Sequence, residues 1–158
     1  MNRPVGIAFV GAGLVAELHG RAVASCERAR FLGAYDADQG RAKVLTARHG
    51  GRSYHSLNDL GDDPAVDAVH VLTPPAGHLD AALAALRAGK HVLVEKPVAY
   101  RAVEIHRLIR AAERTGRICM PGHNYIYVPA LRRAKELIKT EKLGPIAALW
   151  MMYNLFHD

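Results

Sequence analysis

Short apolar runs and amphipathic stretches alternate along the chain from residue 5 to residue 121. The apolar runs predict buried strands, and the stretches with apolar residues at helical spacing predict helices. The predicted strands cover residues 5–10, 30–35, 52–54, 67–72, 91–95 and 118–121. The predicted helices between them cover residues 14–28, 38–49, 56–60, 77–88 and 101–115. This alternation predicts an α/β fold, in which helices cover both faces of a doubly wound parallel sheet.

The pattern changes after residue 122, where the predicted sheet is complete. Pro129 begins another amphipathic helix that extends to Lys142, and a long apolar strand is predicted over residues 146–156. We therefore predict two domains, residues 1–122 and residues 123–158, the second being a linker helix and the first strand of an incomplete α+β domain. A single apolar strand leaves its edges exposed, so we expect it to pair with another copy of the chain or with a complementing chain.

Composition favours a cytoplasmic protein. Half of the 158 residues are hydrophobic, but no uninterrupted apolar run reaches the length of a membrane span, about 18 residues. Residues 1–4 lead directly into the first strand and do not resemble a signal peptide. Cys26, on a predicted helix, and Cys119, in a predicted strand, are expected to be reduced, buried thiols. No spacing of residues indicates a metal site.

The formal net charge of +6 raises the possibility of a nucleic-acid partner. Much of the excess lies in two predicted helices, at residues 107–117 and 132–142, whose cations surround an apolar face in the way typical of a solvated helix. No aromatic residues alternate with these cations to form a base-stacking surface. We expect the chain to bind no nucleic acid.

The first strand runs directly into the motif G-x-G-x-x-A, at Gly11, Gly13 and Ala16. In a dinucleotide-binding Rossmann fold the first glycine permits a tight turn, the second lets the backbone approach a pyrophosphate, and the small third residue lets the helix pack closely. The backbone N–H groups at the start of that helix, at Leu14 and Val15, would face the phosphates. A glycine turn in an ordinary α/β sheet is the alternative interpretation.

Asp36 ends the second predicted strand, about twenty residues after the motif, where a Rossmann fold carries an acceptor for the ribose 2′-OH. A carboxylate repels a 2′-phosphate, and the first cation after it is Arg41, so the sequence favours NAD over NADP. Asp36 could also cap the helix that contains Arg41.

A second group of polar residues follows the fourth and fifth predicted strands. Thr73, Pro74 and His78 come after the fourth strand, and Glu95, Lys96 and Pro97 come at the end of the fifth. Both ends lie at the carboxyl edge of a parallel sheet, where open α/β folds bind ligands. A lysine there can supply a proton or a positive field to a substrate oxygen, although a strand-end lysine is more often a surface group.

Taken together, G-x-G-x-x-A, T-P-P-x-x-H, A-G-K-H-V-L-V-E-K-P and the later G-H-N-Y resemble the glucose–fructose oxidoreductase, inositol dehydrogenase and rhizopine-catabolism (Gfo/Idh/MocA) family. The resemblance implies a Rossmann domain followed by an open antiparallel sheet that closes over the substrate and often forms oligomer contacts. It implies an NAD(P)-dependent dehydrogenase that oxidises a hydroxyl of a sugar, inositol or related polyol.

The resemblance also implies roles for individual residues. Gly11, Gly13 and Ala16 would bind the pyrophosphate, and Asp36 the adenosine ribose. The residues placed along the rest of the cofactor would be Thr73, Pro74, His78, Glu95, Lys96 and Asn124. Lys96 would be the catalytic residue that orients the reacting oxygen, and the Lys96–Pro97 peptide bond is expected to be cis. His55, His70, His91, His123 and Tyr125 are interpreted as structural.

Members of this family are longer than the present chain, and their proton-transferring histidine lies in the second domain. We therefore expect this chain alone to bind NAD but to turn over poorly. A non-catalytic NAD(H)-binding module and one subunit of a split enzyme are the alternatives. A degenerate Rossmann fold with a structural or nucleic-acid-binding role is disfavoured by the intact glycine motif and by Lys96.

Overall fold

The computed structural model describes residues 3–140, 144–148 and 150. The chain divides into two compact units, Met1–Gly122 and His123–Asp158. The assignment of the second unit to a substrate domain stays a prediction.

The first unit is built on a parallel sheet of six strands in the order β3-β2-β1-β4-β5-β6. The strands are β1 Val5–Val10, β2 Ala29–Tyr35, β3 Arg52–Ser53, β4 Ala68–Val71, β5 His91–Val94 and β6 Cys119–Pro121. The order reverses at β1, with β2 and β3 on one side and β4, β5 and β6 on the other. Loops diverge at such a reversal, which leaves a crevice at the carboxyl edge of the sheet.

Five helices belong to this unit: α1 Leu14–Ala24, α2 Gln39–His49, α3 Leu57–Asp62, α4 His78–Arg87 and α5 Ala102–Thr115. Side chains of α1 and α2 pack with Ile7 and Phe9 on one face of the sheet. Side chains of α3, α4 and α5 pack with Ala8 and Val10 on the other face. Because successive residues of β1 point to opposite faces, both of which are buried, the predicted doubly wound α/β fold is confirmed.

Within the first unit, the largest difference from the predicted elements is the end of α1, which was expected at residue 28 and lies at Ala24. The Ser25 hydroxyl donates to the Ala22 carbonyl over 2.9 Å, and the Ala29 N–H donates to the Cys26 carbonyl over 3.0 Å, which turns the chain into β2. Cys26 therefore lies in the connection and is exposed, so the predictions of a helical position and of a buried thiol were both wrong. Cys119 lies in β6, as predicted, and is partly buried.

The second unit contains a short 3₁₀ helix, Asn124–Tyr127, and helix α6, Pro129–Lys139, which has a proline in its first turn. Helix α6 was predicted to extend to Lys142, but Thr140 follows its last residue as the C-cap, and residues 141–143 lie outside the described part of the chain. Of the strand predicted over residues 146–156, residues 146–148 and 150 are described and are not in a strand, and the others lie outside the described residues. Over the ranges that the structure describes, no helix has the length and apolar character needed to cross a membrane.

Candidate functional site

The glycine motif forms the turn between β1 and α1. Gly11 has a φ of +99°, and a Cβ there would lie 2.7 Å from the Leu72 carbonyl carbon and 2.7 Å from the Thr73 nitrogen. A side chain is therefore excluded by both the backbone conformation and the adjacent chain. Gly13 is the N-cap of α1, and a Cβ there would meet no atom within 4 Å. The motif thus combines one glycine required by the fold with one that borders open space.

The start of α1 presents its backbone to that space. Leu14 is 84% exposed and Val15 is 39% exposed, whereas Ala16 is completely buried against the sheet. No side chain caps the helix at its N-terminus, so the first-turn N–H groups lack that partner. Unsatisfied N–H groups together with the helix dipole favour an anion at this position.

Asp36 follows β2, and the chain's own amides bind both of its carboxylate oxygens. Oδ2 accepts from the Ala12 N–H over 2.7 Å, and Oδ1 accepts from the Asp38 N–H over 2.8 Å. The carboxylate is therefore fixed beside the glycine turn, and its remaining lone pairs stay available to a ligand. Asp38, not Asp36, caps α2, since its side chain accepts from the Gly40 N–H. The alternative cap role considered for Asp36 was wrong.

Gly11, Gly13, Val15 and Asp36 line a single cleft of about 780 Å³ at the carboxyl edge of the sheet. Of the residues predicted to bind the cofactor, the cleft brings together Gly11, Gly13, Val15, Asp36, Thr73 and Pro74. Among its other lining residues are Arg41, Leu57, Leu72 and Asp80, which had no predicted site role. Leu14 lines a neighbouring groove of about 620 Å³ between α1 and α2 instead.

Thr73 lines this cleft and carries an unsatisfied polar atom. Its Oγ1 is buried and has no hydrogen-bond partner among the described residues. A buried hydroxyl without a partner carries a free-energy cost that a ligand oxygen could remove. Together with the open space at Gly13, this atom fits a polar, phosphate-containing ligand.

His78 lies beneath the cleft and does not line it. The residue is 1% exposed, and its ring spans two loops: Nδ1 lies 2.8 Å from the Pro97 carbonyl oxygen and Nε2 lies 2.8 Å from the Thr73 carbonyl oxygen. The structure therefore gives His78 a bridging position between the ends of β4 and β5, in place of the predicted direct position along the cofactor.

Glu95 and Lys96 lie at the carboxyl end of β5. The Lys96 N–H donates to Glu95 Oε2 over 3.0 Å, and the following Lys96–Pro97 peptide bond is cis, as predicted. The Lys96 side chain is exposed, and no ion pair or hydrogen bond of its ammonium is found within residues 3–140, 144–148 and 150. It is thus available to a ligand.

Asn124 begins the 3₁₀ helix of the second unit, so its predicted approach to the site stays a prediction. His55 is exposed, and His91 Nδ1 lies 3.1 Å from the Ile118 N–H, which fits the structural interpretation of both.

Sequence reasoning missed His19, which contacts Glu95. His19 Nε2 lies 3.3 Å from Glu95 Oε1, and His19 Nδ1 lies 3.0 Å from His70 Nδ1. The signal was its spacing on α1, since His19 follows Ala16 by three residues and precedes Val23 by four, on the helix side that faces the sheet.

Comparison with known proteins agrees with this geometry. The family model described as an oxidoreductase family with an NAD-binding Rossmann fold matches residues 5–123. Glucose-6-phosphate 3-dehydrogenase of Bacillus subtilis (strain 168) is 34% identical over 143 residues, which are 90% of this chain and 40% of that enzyme.

Two solved structures resemble the chain closely. GenD2 from gentamicin A biosynthesis, in complex with NAD, has a TM-score of 0.85 and 31% identity, covering 90% of this chain and 41% of GenD2. The WlbA dehydrogenase of Bordetella pertussis, in complex with NADH and UDP-GlcNAcA, has a TM-score of 0.86 and 26% identity, covering 91% of this chain and 42% of WlbA. The chain therefore spans about 40% of the length of these relatives. On the match of its glycine turn, sheet and strand ends over residues 5–123, the chain belongs to the Gfo/Idh/MocA oxidoreductase family, whose Rossmann fold binds NAD.

Proposed function

We propose that this chain is the cofactor-binding part of an NAD-dependent dehydrogenase that oxidises a hydroxyl of a sugar, inositol or related polyol. The observation that carries the proposal is the cleft at the sheet reversal, where the open space at Gly13 lies beside the Asp36 carboxylate and the Thr73 hydroxyl. NAD, when bound, supplies the acceptor for the hydride that leaves the substrate carbon.

Each feature of the cleft fits one part of the dinucleotide. The N–H groups at Leu14 and Val15 would bind the pyrophosphate, which the chain can approach closely because Gly13 has no side chain. Asp36 would accept hydrogen bonds from the adenosine ribose. The Thr73 hydroxyl, buried without a partner, would donate to a cofactor oxygen. The protein thus binds and orients the cofactor with backbone amides and a few fixed polar groups.

The charges at the adenosine end favour NAD over NADP. The Asp36 carboxylate is held rigidly by two amides, so a 2′-phosphate would meet a negative charge that cannot move away. Arg41 also lines the cleft, but its guanidinium Nε lies 3.5 Å from Asp38 Oδ2, and that carboxylate offsets its attraction for a phosphate.

Glu95 and Lys96 complete the part of the proposed site that the first unit contributes. Glu95 would lie beside the nicotinamide ribose, and the Lys96 ammonium would orient the reacting substrate oxygen and stabilise its negative charge. Support for Lys96 comes from its exposed side chain at the carboxyl end of β5, the second strand from β1, where the strand order reverses. The substrate class rests on two relatives, one named glucose-6-phosphate 3-dehydrogenase and one a dehydrogenase solved in complex with UDP-GlcNAcA.

The proposal is tested by measuring NADH and NADPH affinity for the wild type and for Asp36→Ala. Loss of the carboxylate should weaken NADH binding and reduce the ratio of NADH to NADPH affinity by about tenfold, which corresponds to about 1.4 kcal/mol. The ratio is informative because any loosening of the glycine turn would affect both cofactors equally. An unchanged ratio would contradict the ribose assignment, and an absence of NADH binding by the wild type would contradict the proposed function.

Asp67→Ala is the matched control. The Asp67 carboxylate accepts from the Gly6 N–H over 2.7 Å, as Asp36 accepts from the Ala12 N–H, but it lies at the opposite edge of the sheet. The control removes a comparable hydrogen bond between a carboxylate and a backbone amide, here that of Gly6 in β1, without changing the cleft. Its ratio of affinities should equal that of the wild type.

A further inference from the structure

Three elements of the first unit bring polar side chains together behind the proposed nicotinamide end of the site. His19 comes from α1, His70 from β4 and Glu95 from the residue after β5. The contacts form a chain, because His19 Nδ1 lies 3.0 Å from His70 Nδ1 and His19 Nε2 lies 3.3 Å from Glu95 Oε1. His19 and Glu95 side chains are each 19% exposed, so little water competes for these contacts.

The geometry determines where the protons lie. Only one of the two facing Nδ1 atoms can carry a proton. With both rings neutral, His70 Nδ1–H donates to His19 Nδ1, and His19 Nε2–H donates to Glu95 Oε1. The opposite neutral arrangement would leave the Nε2 lone pair of His19 facing a carboxylate oxygen. If His19 is instead an imidazolium, it again donates from Nε2, so both favourable states orient the same N–H toward Glu95.

Packing keeps His70 in the required form. Its ring stacks on Phe9 with the centroids 5.3 Å apart and meets the His19 ring edge-on at 5.1 Å. Burial and the neighbouring His19 lower the pKa of His70 to about 4, so His70 is neutral at pH 7. The neutral His70 ring acts on His19 by setting which of the two His19 ring nitrogens carries the proton. A second hydrogen-bonding group orients a catalytic or metal-binding histidine in the same way.

The other side of the Glu95 carboxylate is also constrained. Oε2 accepts from the Lys96 N–H over 3.0 Å, which ties the carboxylate to the backbone of the lysine. A Cβ on Gly122 would lie 3.1 Å from Glu95 Oε1, so β6 closes the space behind it. The carboxylate therefore connects His19 on one side with the main chain of Lys96 on the other.

We propose that His19, oriented by His70, is a positioning residue that holds Glu95 and the Lys96 backbone in the geometry needed at the nicotinamide end of the cofactor. The inference rests on the proposed function, because it takes Glu95 and Lys96 as the groups beside the nicotinamide. His19 itself touches neither cofactor nor substrate. Its effect passes through the Glu95 carboxylate.

The test compares the affinities of NADH and ADP for the wild type, His19→Leu and His19→Gln. ADP carries only the adenosine and phosphate groups that bind at Gly13 and Asp36, whereas NADH also occupies the nicotinamide end. His19→Leu should weaken NADH binding by at least about fivefold and leave ADP binding within about twofold, as expected for one lost hydrogen bond. His19→Gln retains a donor near the position of Nε2 and should bind NADH within about twofold of the wild type.

His106→Leu, an exposed histidine on α5, is the matched control and should change neither affinity. Equal loss of NADH and ADP binding in His19→Leu would indicate a purely structural role and overturn the inference, as would no loss of either. Both of those results leave the proposed function intact. A wild type that binds neither NADH nor ADP would instead overturn the proposed function, and the inference with it.

A measurement on the wild-type chain keeps the inference testable if His19→Leu does not fold. Histidine ¹⁵N NMR at neutral pH distinguishes protonated from unprotonated ring nitrogens. His19 should carry a proton on Nε2, and His70 should be neutral. A His19 ring protonated only at Nδ1 would contradict the proposed hydrogen bonds from His70 to His19 and from His19 to Glu95, whatever the affinities of the variants.

Discussion

At the residue scale, the two glycines of the turn separate the requirements of the fold from those of the cofactor. Gly11 has a positive φ and lies against the backbone of Leu72 and Thr73, so only glycine fits there. Gly13 has a φ of −83° and open space beside it, so the fold itself would accept a side chain. The motif G-x-G-x-x-A therefore contains one position where the fold requires glycine and one where the fold leaves space that we assign to the proposed cofactor.

A pair of alanine variants tests this separation. Gly11→Ala should lower the free energy of unfolding by at least about 2 kcal/mol, because it combines a positive φ with a backbone clash. Gly13→Ala should change it by less than about 0.5 kcal/mol. Gly13→Ala should nevertheless weaken NADH binding by about tenfold or more, since its methyl group enters the space proposed for the pyrophosphate.

Urea denaturation and NADH titration of the two variants provide the measurements. The variants serve as each other's control because they make the same chemical change two residues apart. Equal losses in the free energy of unfolding would show that the fold requires glycine at Gly13 as it does at Gly11, despite the open space beside Gly13. Unchanged NADH affinity in Gly13→Ala would contradict the assignment of that space to the cofactor.

Some residues of the proposed site could be identified from local sequence patterns alone. Gly11, Gly13 and Asp36 were predicted because their chemistry is local: a turn, a close approach and an acid at a strand end. His19 and His78 were missed or misplaced because their roles depend on partners far along the chain. His78 contacts the Pro97 carbonyl oxygen, and His19 contacts His70 and Glu95, which no periodicity within one element reveals.

At the element scale, the strand ends at the carboxyl edge depend on one another. His78 begins α4 and joins the loop after β4 to the loop after β5 through the Thr73 and Pro97 carbonyl oxygens. These loops carry the Thr73 hydroxyl and Lys96, so the bridge fixes two parts of the proposed site relative to each other. A buried histidine with two carbonyl partners stabilises the loops only while both oxygens are satisfied.

His78→Leu tests the bridge. The variant removes both contacts of the ring with the carbonyl oxygens of Thr73 and Pro97. The free energy of unfolding should fall by about 2 kcal/mol, because a lost hydrogen bond in a partly buried place costs about 1–3 kcal/mol. NADH affinity should also fall, because Thr73 is released at the cleft. His55→Leu, at an exposed histidine, is the control and should be neutral in both thermal denaturation and NADH titration. A loss below about 1 kcal/mol in His78→Leu would show that the two carbonyl oxygens find other donors.

The elements themselves were largely predictable because the strands of the first unit other than β3 are short, mainly apolar runs and each helix has a buried face. The C-terminal ends of some helices were less predictable, because hydrogen bonds determine where those helices end. The end of α1 depends on the Ser25 hydroxyl and on the turn that follows, neither of which changes the apolar periodicity. The end of α6 at Lys139 similarly interrupts a pattern that continues in the sequence.

At the scale of the whole first unit, one buried histidine should control stability in weak acid. The pKa of His70 is lowered from 6.5 to about 4, first by burial and then by the charge of His19. The groups that face it are the Phe9 ring, His19 and, beyond His19, the Glu95 carboxylate. Because the unfolded chain binds this proton more readily than the folded chain, acid shifts the equilibrium toward unfolding.

The direction of this effect on stability, and the pH range in which it occurs, follow from the pKa values of His70 in the unfolded and folded chains. Above pH 6.5 both states leave His70 neutral, so its effect on stability is fully present, and that stability is lost as the pH falls from 6.5 toward about 4. Since one pKa unit corresponds to about 1.4 kcal/mol, the total loss is about 3 kcal/mol. Glu17, Asp59 and Asp67 also have lowered pKa values, from hydrogen bonds to His49, to the His55 backbone and to Arg3, but their ordinary values are 4.5, 3.8 and 3.8. Their contribution is therefore lost at lower pH.

His70→Asn separates the pH range in which His70 titrates from the lower range in which the carboxylates titrate. Asparagine does not titrate, but it retains an N–H that can donate toward His19. Urea denaturation at intervals between pH 7 and pH 4 should show a declining free energy of unfolding for the wild type and a nearly flat one for His70→Asn down to about pH 4.5. Below that pH both proteins should lose stability together as the carboxylates are protonated. Equal slopes above pH 4.5 would mean that His70 protonates in the folded chain as easily as in the unfolded one, and that its packing against Phe9 and His19 does not disfavour the charged ring.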